Sequence, residues 1–287
     1  MTTAPAGGSE GPLAIVCGGG TLPFAVADAV IKRGRTVIMI ALRGAADATA
    51  VARYPHHWFN YGQFGRFIRI ARTSGVTDVV MIGSLVRPSF WQVRPDLTAL
   101  SVLPRILAIF RGGDNHLLSS VAKIMEDFGF RLLGAHEVAP EILMPEGVLG
   151  RVQPSHEDHD DIAVGIDFLH AMGPFDIGQA VAVARKHVLA VEAAEGTDLM
   201  LARVSELRNS GRIRTPRGAG VLVKAPKPGQ DRRFDLPSIG PQTVERAAAA
   251  GLAGIAVAAG GAVVAEPERL VATADRENIF VLGMPAG

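Results

Sequence analysis

Leu13-Ala14-Ile15-Val16-Cys17-Gly18-Gly19-Gly20-Thr21-Leu22-Pro23 is the stretch that decides the fold class. An apolar run stopped by three glycines, then a proline opening an apolar-periodic segment that ends near Gly34, reads as strand, turn and helix. Pro23 suits a first helical turn, where its missing N–H costs nothing, and Gly34 suits the left-handed position beyond a helix end. Working outward, Thr36 to Leu42 reads as a buried strand, Phe64 to Ser74 as a helix and Val79 to Ile82 as another continuous apolar strand. Leu103 to Phe110 and His116 to Phe128 read as helices, and Phe130 to Leu133 as one more strand. Alternating β and α implies an α/β fold with a parallel sheet.

The composition changes near Pro140, where Pro140, Pro145, Gly147, Gly150 and Pro154 crowd together. The reading is a domain over 12–140, a linker over 141–154 and a second, α+β domain over 155–287. In that domain Ser155 to Met172 reads as a helix capped by Ser155, with acids in its first turn. Ala180 to Val191 opens a strand-rich region, Pro241 to Ala250 reads as a helix stopped by Gly251, and Ile279 to Leu282 as a last strand. Ala247 to Ala265 carries no charge over 19 residues, close to a membrane-spanning length. Gly251, Gly254 and the Gly260-Gly261 pair divide it, so it reads as buried helix, turn and strand.

The chain has 287 residues, 48% hydrophobic and 20% charged, a globular composition with enough length for two domains. Cys17 is the only cysteine, which excludes an intramolecular disulfide framework and a cysteine zinc cluster and fits a reducing compartment. Met1 to Gly11 has no basic n-region and no apolar h-region, so it reads as a frayed tail rather than a secretory signal. The net charge is +1, and the halves split at Gly150 carry +3 (14 cations, 11 acids) and −2 (15 cations, 17 acids), which excludes a nucleic-acid-sized field. Arg208 to Arg233 holds eight Lys or Arg residues against one acid, Asp231, a density suited to a phosphorylated ligand, an anionic surface or a solvated loop.

Gly18-Gly19-Gly20-Thr21 lies between strand and helix, where backbone N–H groups and the helix dipole favour phosphate. As a dinucleotide fingerprint it is flawed: Pro23 replaces the third glycine, and the second strand ends in Leu42-Arg43 with no acid. NAD is disfavoured, and Arg43 leaves an NADP-dependent oxidoreductase as an alternative. Gly83-Ser84-Leu85-Val86-Arg87-Pro88 follows the strand at Val79 and is expected at the same sheet edge, where Arg87 reads either as a contact to a diphosphate or as a solvated arginine on a surface loop. Asp114 reads as a helix cap, and the run from His156 to Asp161 as charge at a helix start rather than a metal cluster. Asp176-Ile177-Gly178-Gln179, Glu195-Gly196-Thr197-Asp198, Lys224-Ala225-Pro226-Lys227-Pro228 and Asp235-Leu236-Pro237-Ser238-Ile239-Gly240 place cations beside carboxylates. Phosphoryl chemistry asks for that pairing: lysines offset phosphate charge, and Asp or Glu binds Mg²⁺ or orients water.

With Gly18 to Pro23, Gly83 to Pro88 and Gly134-Ala135-His136-Glu137-Val138, these segments in this order resemble the LpxI-type UDP-2,3-diacylglucosamine diphosphatases of lipid A biosynthesis in Gram-negative bacteria. The resemblance implies a Rossmann-like UDP-binding domain hinged to a catalytic domain that holds the diacyl sugar. It implies Mg²⁺-dependent hydrolysis of UDP-2,3-diacylglucosamine to UMP and 2,3-diacylglucosamine 1-phosphate (lipid X), with water attacking the β-phosphorus. Asp235 carries over as the essential acid, with Lys224 and Lys227 as its cationic partners and Asp235 and Asp198 as metal candidates. Gly19, Gly20, Thr21, Gly83, Ser84, Arg87, Gly178, Gln179, Glu195, Thr197 and Asp198 are the expected binding residues. A cytoplasmic homodimer visiting the inner face of the membrane, with no nucleic-acid partner, completes the expectation. A non-catalytic nucleotide- or lipid-binding module is the other alternative.

Overall fold

The computed structural model of the chain describes residues 11–84, 94–102, 122–175, 177–226, 231–233 and 236–285. The chain divides into two compact units, one formed by residues up to Glu141 together with the segment 231–234, the other by 142–230 and 235–287.

In the first unit, β1 (Leu13–Cys17), α1 (Leu22–Lys32), β2 (Val37–Leu42), α2 (Ala48–Val51), β3 (His56–Phe59), α3 (Phe64–Thr73), β4 (Asp78–Ile82), β5 (Arg131–Leu133) and α4 (Ala135–Val138) follow in order. The sheet has the order β3-β2-β1-β4-β5, and every pairing is parallel. The Rossmann-like expectation holds, and its topological switch point falls between β1 and β4. Strands covered on both faces need continuous apolar sequence, and Leu13, Ala14, Ile15 and Cys17 of β1 are all fully buried. α3 and the helical residues 122–127 pack Phe67, Ile68, Ala71, Ala122 and Met125 against Ala14, Ile40 and Val79. β3 escapes the sequence pattern because His56-His57-Trp58-Phe59 is an edge strand whose only fully buried residue is Phe59. The helix expected at 103–110, the start of that at 116–128, and Asp114 lie outside the described residues.

The second unit comprises β6 (Gly147–Leu149), α5 (His156–Met172), β7 (Ala180–Ala184), β8 (His187–Val191), α6 (Gly196–Asn209), β9 (Val221–Lys224), β10 (Ser238–Ile239), α7 (Pro241–Ala249), β11 (Gly254–Ala258), β12 (Val263–Val264), α8 (Pro267–Glu277) and β13 (Phe280–Met284). Its main sheet, β6-β13-β11-β9-β7-β8, is mixed: β9, β11 and β13 run parallel, while β6 and β7 run against their neighbours. Alternation along β7 sends Val181 and Val183 to the face covered by Ile162 and Leu169 of α5. Ala180 and Ala182 face the side covered by Met200 and Leu201 of α6, Val244 of α7 and Leu270 of α8. α5 lies close on the sheet because Gly165 faces Val223, whose Cγ2 would stand 2.6 Å from any added Cβ.

The stretch 141–154, expected as a linker, contributes β6 to this sheet, and Met144 enters the core. Its glycines serve backbone conformation: Gly147 and Gly150 have φ of 98° and 90°, in the left-handed region that favours glycine. The acidic run at the start of α5 is also structural. Asp158 accepts from the Ser155 backbone N–H at 2.8 Å, and Asp161 accepts from the backbone N–H groups of Arg185 and Lys186, which form the left-handed β7–β8 turn. The uncharged stretch from Ala247 resolves into the end of α7, β11 and β12, and no described helix is long and apolar enough to cross a membrane.

At the amino edge of the first sheet, Asp78 is 2% exposed and lies 2.5 Å from the Arg35 guanidinium and 2.8 Å from that of Arg131. Burial opposes its charge, but hydrogen bonds from Arg131 and Arg35 outweigh it and hold the carboxyl below its ordinary value. A depressed carboxyl contributes stability above its unfolded pKa of about 4, and that stability is lost as pH falls through the folded value. Asp78→Asn is therefore expected to lower stability by about 3 kcal/mol at neutral pH, since it leaves Arg35 without its carboxylate. In urea unfolding the gap to wild type should narrow from pH 5 to pH 3; a gap that widens on acidification would contradict the pairing.

Candidate active site

Each unit gathers candidate residues at the carboxyl edge of its own sheet. In the first, the turn after β1 and the turn after β4 are locked together: Gly18 N–H donates to Ile82 O (2.9 Å), Gly19 N–H to Ser84 O (2.8 Å) and Ser84 N–H to Gly19 O (3.0 Å). The approach is so close that a Cβ on Gly18 would stand 2.7 Å from Ser84 O, and one on Gly19 2.7 Å from Ser84 Oγ. Glycine is required here for backbone approach. The lock also uses the N–H groups of Gly18 and Gly19, so the donors at the head of α1 that no backbone carbonyl takes up, among the described residues, are those of Gly20 and Thr21. Arg87 lies outside the described residues. The Arg43 guanidinium lies 5.7 Å from the Trp58 ring centroid, stacked on its own domain. Cys17 ends β1 fully buried, and burial pushes its thiol up to about 11, which removes it as a nucleophile at neutral pH.

The motif at 134–138 has a local explanation. Glu137 accepts from the Gly134 N–H at 2.6 Å, capping α4, and Gly134 leaves room for the backbone of Arg233, whose Cα would lie 3.1 Å from an added Cβ. Arg233 in turn pairs with Asp231 at 2.8 Å and Glu126 at 3.3 Å, so 231–233 is fastened to the first unit. Burial, then the charge of Arg232, hold His136 below the usual imidazole value.

In the second unit, four motifs meet at one cavity of about 300 Å³, lined by Gly178, Gln179, Glu192, Thr197, Lys224 and Ser238 among others. The topology explains the meeting. Lys224 ends β9, Glu192 follows β8 and Gln179 precedes the antiparallel β7, so all three emerge at one edge, with Thr197 in the first turn of α6 beside them. Lys224 is 6% exposed; its ammonium donates to Thr197 Oγ1 at 2.9 Å and to Ser238 O at 3.3 Å. A buried cation beside a helix N-terminus is an arrangement that favours an anion. Glu192, absent from the sequence-derived candidates, accepts from the Thr197 hydroxyl at 2.7 Å and from the Gln179 N–H at 2.8 Å. The signal for it was an acid directly after a strand. Gly178 lies flat on it, since a Cβ there would be 2.5 Å from Glu192 Cγ.

The other candidates stand apart. Glu195 pairs with Arg203 at 2.6 Å, and Asp198 lies half-exposed, 3.4 Å from Arg246; neither lines the cavity. Asp176, Lys227 and Asp235 lie outside the described residues, although Leu236 and Pro237, directly after Asp235, line the cavity. Among the described residues no three His, Cys, Asp or Glu side chains form a metal cluster. The carboxylate and hydroxyl donors of the cavity are hard oxygens, and among the described residues no thiol or imidazole lines it. That set suits Mg²⁺, which is usually held by one or two carboxylates plus substrate phosphates rather than by an all-protein cage.

A Rossmann-like sheet with a glycine turn at its switch point, followed by a mixed sheet with a lysine-bearing cavity at a helix start, defines a two-domain protein equipped for phosphorylated ligands. Comparison with known proteins agrees. The model described as the LpxI N-terminal domain matches residues 12–142, and that described as the LpxI C-terminal domain matches 145–282. The chain belongs to the LpxI family. The UDP-2,3-diacylglucosamine pyrophosphatase LpxI of Caulobacter vibrioides is 43% identical over 272 residues, covering 95% of this chain and 97% of that protein. A solved UDP-glucose-4-epimerase from Stenotrophomonas maltophila, with NAD and formylated UDP-arabinopyranose bound, matches at 15% identity, covering 42% of this chain and 34% of its own, with a TM-score of 0.27.

Gly83 combines a φ of 102° with a Cβ position 2.7 Å from Gly19 O. Gly83→Ala is expected to cost about 1–3 kcal/mol in urea unfolding, through backbone strain and loss of the lock. A change under about 0.5 kcal/mol would show that the two turns are not locked together.

Proposed function

We propose that this chain hydrolyses the diphosphate of UDP-2,3-diacylglucosamine, with Mg²⁺, to UMP and lipid X. The observation that carries the reading is the convergence of Gly178, Gln179, Thr197, Lys224 and Ser238, from four separate motifs, on one cavity at the α6 N-terminus. Family membership over nearly the whole chain supports it. The NADP alternative has no such support, since Arg43 rests on Trp58.

In this mechanism residues 12–140 hold the UDP portion through Gly19, Gly20, Thr21, Gly83, Ser84 and Arg87, with Gly20 and Thr21 N–H groups as phosphate donors. Residues 155–287 hold the diacyl sugar and the phosphorus attacked, with 141–154 joining the two. Lys224 and Lys227 offset charge on the diphosphate, and Gly178, Gln179 and Thr197 shape the site around it, while Glu195, paired with Arg203, lies outside the cavity. Asp235 orients water against the β-phosphorus. The new bond joins water oxygen to that phosphorus, the bond to the bridging oxygen breaks, UMP leaves with that oxygen, and the product phosphate keeps the oxygen from water. Asp235 would hold Mg²⁺, which when bound supplies positive charge to the phosphate oxygens and lowers the pKa of water; Asp198, the other carboxylate expected from the sequence, sits beside Arg246 away from the cavity and takes no part in this reading.

On this reading the enzyme is a cytoplasmic homodimer, as the family resemblance implies, and visits the inner face of the membrane to meet its amphiphilic substrate. Within the basic stretch, Arg208 is committed to the carbonyls of Ala219 and Ala250, whereas Arg212 and Arg214 are exposed and suit anionic headgroups. Binding to anionic vesicles should weaken as salt rises, and salt-independent binding would remove this role.

Asp235→Ala is expected to lose at least about 100-fold in kcat while still binding UDP-2,3-diacylglucosamine, measured by product formation and by calorimetry. Near-normal turnover in a folded variant would overturn the assignment of Asp235.

A further inference from the structure

We infer that Glu192 is a positioning residue for this reaction: it sets the direction of the Thr197 hydroxyl and thereby fixes the Lys224 ammonium at the phosphate site. The inference rests on the functional reading above. Its ground is the inventory of donors and acceptors. Thr197 Oγ1 lies 2.7 Å from Glu192 Oε1 and 2.9 Å from Lys224 Nζ. A carboxylate only accepts and an ammonium only donates, so a single arrangement serves both: the hydroxyl proton points to Glu192 and a lone pair points to Lys224. Glu192 is held in turn by the Gln179 N–H at 2.8 Å on its other oxygen, and Gly178 donates its N–H to the Glu192 carbonyl at 3.1 Å. Gly178 has no side chain because Glu192 occupies that space. The Gly178-Gln179 pair thus acts on the phosphate site through Glu192.

Glutamine at 192 would need its oxygen for the Gln179 N–H and would turn its amide NH₂ on Thr197. The hydroxyl would then face two donors, and the ammonium would lose a fixed acceptor. Charge on the leaving oxygen grows in the transition state, so a displaced ammonium costs more there than in the bound ground state.

Steady-state kinetics at saturating Mg²⁺ test this. Glu192→Gln is expected to lower kcat about 10–100-fold with KM within about threefold. Thr197→Val should do the same, Thr197→Ser should restore most of the activity, and the Glu192→Gln/Thr197→Val double variant should be no worse than the poorer single variant, because the carboxylate acts through the hydroxyl. Losses that multiply in the double variant, or an unchanged kcat in Glu192→Gln, would overturn the inference. Should Glu192→Gln fail to fold, the contrast between Thr197→Val and Thr197→Ser still decides: equal activity in the two overturns it. An independent readout is the ¹⁵N signal of the Lys224 ammonium, expected to be protected from exchange in wild type and in Thr197→Ser and lost in Thr197→Val and Glu192→Gln. It does not depend on turnover, so a wild type that fails to hydrolyse the substrate would overturn the functional reading and leave this test standing; retention of the signal in both Thr197→Val and Glu192→Gln would overturn the role of Glu192.

Discussion

A lysine ammonium cannot be taken out of water without acceptors around it, and Lys224, at the end of β9, is 6% exposed. That constraint organises the second unit. Thr197 brings the start of α6 to the ammonium, Ser238 brings a backbone carbonyl from β10, and Glu192 supplies negative charge through Thr197. The end of β9, the β8–α6 connection and β10 are thereby drawn to one edge of the sheet. The cavity they enclose presents a fixed cation and a helix N-terminus to whatever enters, which is the environment a diphosphate needs before its bridging bond can be broken.

The first unit solves a different problem. It joins two turns at a switch point by backbone pairing alone, and glycine at 18, 19 and 83 makes the approach possible. The N–H groups at the head of α1 that no backbone carbonyl takes up, among the described residues, are then those of Gly20 and Thr21. This is why the motif departs from a dinucleotide fingerprint while keeping the chemistry of a helix start: Pro23, in the first turn of α1, has no N–H to offer, and none is needed there.

Where strong local physics was at work, the sequence could be read directly. The β1 turn and α1, the Ser155 cap of α5 and the broken uncharged run after Ala247 follow from apolar periodicity, capping chemistry and glycine placement. β3 and β6 were not legible, because each is a short edge strand whose partner is chosen by topology rather than by its own residues. The return of 231–233 to the first unit was equally hidden, since Arg233, Asp231 and Glu126 look like solvated charge until the fold brings them together. Of the site, the motif residues Gly178, Gln179, Thr197, Lys224 and Ser238 were visible. Glu192 was not, because it lies outside the quoted motifs and its importance rests on the two donors, Gln179 N–H and the Thr197 hydroxyl, that the fold brings to it.

The central claim is that this fold hydrolyses the diphosphate by water attack on the sugar-side phosphorus. The most direct test is to incubate the full chain with UDP-2,3-diacylglucosamine and Mg²⁺ in ¹⁸O-labelled water and to locate the label by mass spectrometry. The account predicts one labelled oxygen in lipid X and none in UMP. Label in UMP would contradict the direction of attack, and absence of both products from folded protein would contradict the activity itself.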